Sequence, residues 1–579
     1  MENKICQNCK KDFTIEPEDF SFYAKIRVPP PTFCPECRII RRMAFRNERT
    51  LYRRTCQAPG HGEEMLSIFS PDKNTTVYCH SAWWGDGWDA LSYGQSYDYS
   101  KTFFKQLHEL WQKVPDIGLF NINPANSDYC SITEGNKNCY LVIGGDFNED
   151  SLYSAFIFNS KFLVDCYWVS KSEWCYEAID CISCSHLLYS RYCEGCYDSA
   201  FLFNCRNCHD CFGCVNLSNK SYCIFNEQYT KETYKEKLKE LNLHSHTAVV
   251  ELKEAFQEFS LQFPRRYAKI LRSVNVTGDD IEESKNCKNC FSVFGGAEDS
   301  KNLWLIYSSV KDSYDIDHSG LSSIDCYETT TAYPGNKIYF SRFIFQSHDV
   351  EYSYNCHNSS NLFGCVGLRN KQYCILNKQY TKEEYEIEKA KIIEQMNRMP
   401  YIDNGGRVYL YGEFFPNDIS PFLYNESVAQ ELKPLSKEEA VQQGIGWMNP
   451  QKRSYVITKN SHELSDTVQE FDESIVSEVI SCEHEGKCNH ECSEAFKITK
   501  AEFEFYKNLG VPIPHICQNC RHYDRLSKRN PLKLWHRSCM CDIAIHGHEG
   551  KCDVEFETSY APERPEKVFC EKCYQAEVI

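Results

Sequence analysis

The residues best able to do chemistry in this chain are its cysteines, 35 in 579 residues. Near the N-terminus, Cys6-Gln-Asn-Cys9 and Cys34-Pro-Glu-Cys37 form two close pairs. Near the C-terminus, Cys488, Cys492, Cys517 and Cys520 form a similar set. Two cysteine knuckles joined by a short ribbon suit tetrahedral Zn²⁺, which takes four thiolates at once. The chain opens without a charged-then-apolar secretory signal, so a cytoplasmic, reducing setting is expected and metal is favoured over disulfides. A second ligand set follows each ribbon. At the C-terminal end it is Cys539, Cys552, Cys570 and Cys573, with Cys541, His546 and His548 as competing ligands. At the N-terminal end it is Cys56, His61 and Cys79, with Ala82 where a fourth ligand should stand and His80 as its nearest substitute. The expected cofactor is Zn²⁺, three ions per chain, or four if His80 completes the N-terminal set.

The ends are copies of one another. Residues 9–56 match 492–539 without a gap, pairing Phe22 with Phe505, Tyr23 with Tyr506 and Pro29 with Pro512. These residues supply the small apolar layer that a metal-nucleated domain needs, because so short a segment cannot bury enough core alone. Each copy carries a basic block. Residues 38–54 hold seven Arg and one Glu, and residues 521–537 hold six Arg or Lys and one Asp. The whole chain has a net charge of −17, so both blocks run against their background. Arg38, Arg42, Arg46 and Arg54 recur as Arg521, Arg525, Arg529 and Arg537. Guanidinium forks bind phosphate, which makes DNA or RNA one expected partner. The competing expectation is that these arginines pair with acidic groups inside the protein.

Between the ends, residues 139–242 match 290–393 at a constant offset of 151. Both copies fall into units of about 11–12 residues, such as NKNCYLVIGGDF and EGCYDSAFLFNC. Each unit opens on turn formers and runs into alternating Cys, Tyr, Phe, Leu or Val, which is strand after turn with no long helical period. The expected fold is mainly β with short helices: a tandem duplicated β-solenoid-like centre flanked by homologous zinc-ribbon domains. Under this alignment Cys166, Cys181, Cys184, Cys193, Cys196, Cys208 and Cys211 have no cysteine counterpart, which favours packing over obligatory metal binding. One run resists: Cys205, Cys208, Cys211 and Cys214 stand at steps of three. An iron–sulfur or extra zinc site there would make a redox or metal-handling protein, the alternative reading. Thr230 and Thr381 read as N-caps of helices that would cover the solenoid ends.

The expected domains are a zinc-ribbon domain at 1–98, a helical connector at 99–128, solenoid repeat 1 with its capping helix at 129–250 and a second connector at 251–286. Solenoid repeat 2 follows at 287–400, then a linker at 401–480 and a zinc-ribbon domain at 481–579. Within the linker, SHELSDTVQEFDES reads as a solvated acidic spacer. No apolar run reaches membrane-spanning length. GxSxG, GxxxxGK[ST] and HExxH are all absent, so no catalytic constellation is recognised.

The pattern from Cys6 to Arg54, CxxCxxxFxIxxxDFxFYxxIxVPxPxFCPxCRxxRRxxFRNERxLYxR, resembles that of zinc-ribbon, Cys-rich repeat proteins of ultra-small, candidate-phylum bacteria. The likeness extends to the FGCVxLxNKxYCIxN segments. It implies zinc ribbons around a Cys-rich centre, a Cys at the position of Ala82, and no settled activity. The expected function is a zinc-stabilised binding or scaffold protein, contacting nucleic acid through its basic blocks or acting as a protein-only interaction scaffold. Its oligomeric state is not legible in the sequence.

Overall fold

The computed structural model describes residues 1–319, 322–449 and 455–578. Its centre is built from triplets. From Tyr153 to Phe225 every third residue has a positive φ, between +47° and +64°. Each such residue turns a corner, and four corners close one coil of 12 residues. Successive coils then pair in parallel at i and i+12, as in Lys161 with Glu173, Glu173 with Ser185 and Ser185 with Tyr197. Asn and Asp occupy many corners, including Asp165, Asp180, Asn204, Asn207 and Asn216, because their short polar side chains tolerate the left-handed region. Most other corners are aromatic, as at Phe156, Trp168 and Phe201, and ring burial there offsets a cost of roughly 1–2 kcal/mol.

The residue after each corner points inward, and there the cysteines sit. Cys166, Cys175, Cys181, Cys196, Cys205, Cys208, Cys211 and Cys214 are fully buried. Each thiol answers the backbone of the coil. Cys205 Sγ donates to Phe203 O at 3.6 Å and Cys214 O at 3.5 Å, and Cys196 Sγ to Cys205 O at 3.4 Å. Serines in the same position accept from the next coil, as Ser172 Oγ does from Cys184 N at 3.0 Å. Steps of three therefore mark the sides of a coil. The Cys205–Cys214 run is one cysteine on each of four consecutive sides, a spacing that the solenoid itself explains.

The second solenoid keeps this plan with longer coils. Tyr314 pairs with Tyr327 and Trp304 with Asp317, both at 13 residues, before the period returns to 12 at Arg342 and Tyr354. The constant offset of 151 therefore holds only downstream of about residue 325. Upstream, Asp165 is matched by the corner residue Asp315, and Cys139 by Cys287 rather than Cys290.

The two solenoids lie side by side in opposite directions. Phe156 meets His318 at 5.5 Å between ring centres, and Trp168 meets Tyr307 at 5.5 Å. Trp168 and His318 occupy matching corners, and Phe158 and Tyr307, which meet each other at 5.4 Å, each stand two residues after a matching corner, Phe156 or Leu305, so the contact is reciprocal. That is the signature of a two-fold interface, formed here within one chain.

The end helices are where the caps place them. Thr230 and Thr381 accept from Thr233 N and Glu384 N, starting Lys231–Glu240 and Lys382–Arg398. Tyr234 and Tyr385 pack on Tyr222 and Tyr373 of the last coils, each pair 5.8 Å apart. The opposite edges are covered by the terminal modules. Val77–Tyr78 adds in parallel to Asp116–Ile117, and Val568–Phe569 adds to Arg265–Arg266.

The stretch 401–480 is more than a linker. Glu413 accepts from Thr32 N at 2.8 Å, and Val428 N donates to Arg46 O at 2.8 Å, strapping the N-terminal module down. The acidic spacer is folded: Asp466 accepts from Thr247 N at 2.8 Å at the start of His246–Ser260, and Val468 and Ile475 are buried. No helix among the described residues is long and apolar enough to cross a membrane.

Candidate metal centres and the arginine docking face

Each terminal module builds its site the same way. A short strand ends in the first cysteine, and a later cysteine starts a helix. Cys34 precedes Pro35–Met43, Cys79 precedes His80–Trp84, and Cys517 precedes Gln518–Ser527. The backbone N–H of the later cysteine donates back to the first sulfur: Cys34 to Cys6 at 3.3 Å, Cys79 to Cys56 at 3.2 Å, Cys517 to Cys482 at 3.3 Å and Cys570 to Cys539 at 3.2 Å. Thiolates gathered at a helix N-terminus gain from its positive end and from these N–H donors.

Three groups of four thiols result: Cys6, Cys9, Cys34, Cys37; Cys482, Cys492, Cys517, Cys520; and Cys539, Cys552, Cys570, Cys573. In each, the four sulfurs lie within 4.8 Å of one another, so each group can hold a metal ion. All 35 cysteines are free thiols. The sulfur separations are 3.7 Å for Cys9–Cys34, 3.9 Å for Cys492–Cys517, 3.6 Å for Cys517–Cys520 and 4.0 Å for Cys552–Cys570. A tetrahedron with metal–sulfur bonds of about 2.3 Å has edges of about 3.7 Å. The thiols also compete for charge. Hydrogen bonding among Cys482, Cys492, Cys517 and Cys520 draws Cys517 far below an ordinary thiol and pushes Cys520 far up. Four thiolates so close cannot all ionise unless a cation sits among them.

The second ribbon differs from expectation in one ligand. Cys482, not Cys488, completes the tetrad with Cys492, Cys517 and Cys520. The gapless alignment begins at Cys9 and Cys492, and it hides an insertion ahead of that point. Cys6 and Cys9 are separated by two residues, Cys482 and Cys492 by nine. The recoverable signal was the strand end: Cys482 follows Ile480–Ser481 as Cys6 follows Glu2–Ile5.

At the second N-terminal set, Cys56, His61 and Cys79 do come together, with Cys79 Sγ 3.6 Å from His61 Nδ1. Ala82 stands where the C-terminal module has Cys573. His80 is exposed, with its ring toward Trp84.

The arginines meet a different geometry from the one a phosphate contact requires. Arg38, Arg42, Arg46, Arg521 and Arg525 are buried, and Arg529 nearly so. Arg38 donates to Asp315 at 2.8 Å, and Arg42 binds Asp317 through two nitrogens. Their neighbour Arg41 bridges Glu328 at 2.7 Å and Glu413 at 2.8 Å. Arg46 pairs with Glu48. On the other side Arg521 lies 3.3 Å from Asp165 and 3.1 Å from Glu502. Arg525 lies 2.6 Å from Asp165, and Arg529 lies 3.3 Å from Asp180. Arg54 and Arg537 are half-buried and donate to carbonyls, of Thr75 at 3.0 Å and Ala561 at 3.1 Å. The blocks expected to face nucleic acid face the solenoids. The reason is local: Arg38, Arg41 and Arg42 stand at i, i+3 and i+4 of one helix, so they share a face, and that face meets the carboxylates of Asp315, Asp317 and Glu328 on the solenoid and of Glu413.

The docking is crossed. The N-terminal module binds solenoid 2 and the C-terminal module binds solenoid 1. Phe22 stacks on Tyr314 at 3.9 Å and Tyr23 meets Tyr327 at 5.4 Å, while the matching Tyr506 meets Tyr176 at 5.6 Å. Two open grooves border these contacts. One, of about 540 Å³, runs between Tyr140, Phe162 and Trp174 of solenoid 1 and Glu504 and Phe505. The other, of about 490 Å³, lies between the modules and is lined by Arg49, Arg53, Glu426, Glu491 and His522.

No protein-family model matches this chain, and no curated protein matches it. Among solved structures, a "putative acetyltransferase" from Desulfovibrio desulfuricans G20 aligns over 50% of this chain and 74% of its own. Identity is 10% and the TM-score is 0.11, too low to indicate a shared fold.

Proposed function

We propose that this chain is a zinc-clamped scaffold: two antiparallel β-solenoids locked side by side by metal-folded modules, which present the grooves between them to a partner. The observation that carries this reading is the repeated tetrahedral spacing of free thiols, 3.6–4.0 Å, at the base of each module. Thiolate sets of this kind select zinc among abundant cations. The crossed docking gives the metal its structural consequence, since each module both covers the first coil of one solenoid and holds the flank of the other. The buried arginines fit a role in fastening modules rather than in contacting phosphate. The alternative of an iron–sulfur centre at Cys205–Cys214 loses its motive, because their spacing is that of the coil.

The experiment is elemental analysis of the full chain purified without chelator, beside a melting curve with and without chelator. Zinc without iron, and a lower Tm on chelation, are expected. Iron in stoichiometric amount, or metal-free protein with an unchanged Tm, would overturn the reading.

A further inference from the structure

Beside two of the four-thiol groups stands a second donor set. His484, Cys488, His490 and Cys520 converge within 4.8 Å, and so do Cys541, His546, His548 and Cys573. Cys520 and Cys573 each belong to two groups at once. We propose that both C-terminal centres are binuclear, each holding two divalent zinc-class ions bridged by a single thiolate, Cys520 in one and Cys573 in the other. This deepens the zinc reading above and rests on it.

The distances place Cys520 as a bridge. Its sulfur lies 3.6 Å from Cys517 and 3.9 Å from Cys482 on one side, and 3.6 Å from Cys488 on the other. Each is close to a tetrahedral edge of about 3.7 Å. At the second centre Cys573 Sγ lies 3.4 Å from His548 Nε2, and Cys541 Sγ lies 3.1 Å from His546 Nδ1.

The histidines are prepared as ligands. Nδ1 of both His484 and His490 is buried without a hydrogen-bond partner. His546 Nε2 lies 3.2 Å from Glu577, and His548 Nδ1 donates to Gly550 O at 2.9 Å. In the His548 ring the outer nitrogen is held by a carbonyl and the inner one faces Cys573 Sγ, the arrangement that second-shell partners impose on metal-bound imidazole, while the His546 ring turns Nδ1 toward Cys541 Sγ with the Glu577 carboxylate near its far side.

Sequence and charge agree. The outer donors lie on loops that the N-terminal module lacks: nine residues separate Cys482 from Cys492, against two between Cys6 and Cys9. Twelve separate Cys539 from Cys552, against four between Cys56 and His61. Both loops bring one Cys and two His. Four thiolates around one divalent ion leave a charge of −2; a fifth thiolate and a second ion leave −1, easing the burial of the centre.

The test is zinc stoichiometry of the full chain by native mass spectrometry, with ¹¹³Cd NMR of the cadmium-loaded protein. His484→Ala/His490→Ala and His546→Ala/His548→Ala should each remove one metal and leave the four-thiol ion in place. Splitting between cadmium signals through the shared sulfur is expected in the unaltered chain, so the result does not depend on a variant folding. Unsplit cadmium signals, or His variants with unchanged metal content, would overturn the bridges. The Cys6, Cys9, Cys34, Cys37 group, whose first knuckle lacks the loop that carries the outer donors, serves as the control. If it fills while the outer groups stay empty, the bridges fail and the zinc reading stands; if it too stays empty, both fail.

Discussion

Arg42 and Arg525 stand at matching places in the two modules, and each spends its charge on a carboxylate of the opposite solenoid, Asp317 and Asp165. Deleting one partner of such a pair strands the other in a dry interface, which costs about 3–5 kcal/mol. Arg42→Gln should therefore lower stability by that order in denaturant unfolding, and Asp317→Asn should do much the same. The double variant Arg42→Met/Asp317→Leu should recover most of the loss, because an apolar pair leaves no orphaned charge. Metal content should stay unchanged throughout. A variant at full stability would show that the arginines do not fasten the module. Sequence could register the recurrence of these arginines but not their direction: the carboxylates they meet lie some 275 residues away or more, on coils whose neighbours only the fold defines.

The solenoid was the most legible element, because a unit of about 11–12 residues that opens on turn formers and runs into Cys, Tyr, Phe, Leu or Val is a local signal repeated many times. Coil length was less legible. The extra residue in each 13-residue coil breaks the triplet spacing of the corners, as between Ser292 and Gly296, and shifts every column upstream. Where the columns are secure, Cys181 and Cys184 correspond to Ala332 and Gly335. Cys181→Ala/Cys184→Gly should keep fold and metal content at a cost of about 1–3 kcal/mol from lost volume; release of metal would instead make the interior cysteines ligands. Two buried histidines carry a pH dependence, His318 between the solenoids and His357 beside Trp83 and Trp84 of the N-terminal module. Burial against Phe156 and Trp304, with Arg46 nearby, holds His318 well below the usual imidazole range, and burial with Arg369 nearby takes His357 to about 3. Both are kept neutral in the folded state and gain a proton more readily when unfolded. Their contribution is complete above pH 6.5, the ordinary value, and is lost as pH falls toward 3. His318→Leu should flatten the fall in unfolding free energy between about pH 6.5 and 4; an unchanged slope would place the acid sensitivity elsewhere, in the metal centres.

At the scale of the whole molecule the chain is a duplicated unit folded back on itself. Both duplications are legible in the sequence, which suggests a solenoid centre flanked at its ends by the two zinc-ribbon domains. The structure crosses them, so each module meets the solenoid far from it in sequence, and the supposed linker becomes a strap. Nothing local could have signalled that, since it depends on the reciprocal contact of Phe156 with His318 and Trp168 with Tyr307. The crossing makes the metal centres responsible for the solenoid edges: Val77–Tyr78 covers Asp116–Ile117 and Val568–Phe569 covers Arg265–Arg266. An uncovered parallel edge is open to fraying and to pairing with other chains. Hydrogen exchange across the full chain, before and after chelation, tests this most directly. Chelation should strip protection from residues 1–98 and 480–578 and from the first coils near 116–122 and 265–271, while the middle coils near 160–215 remain slow. Protection that is unchanged at the modules and the first coils after the metal has been removed would contradict the account.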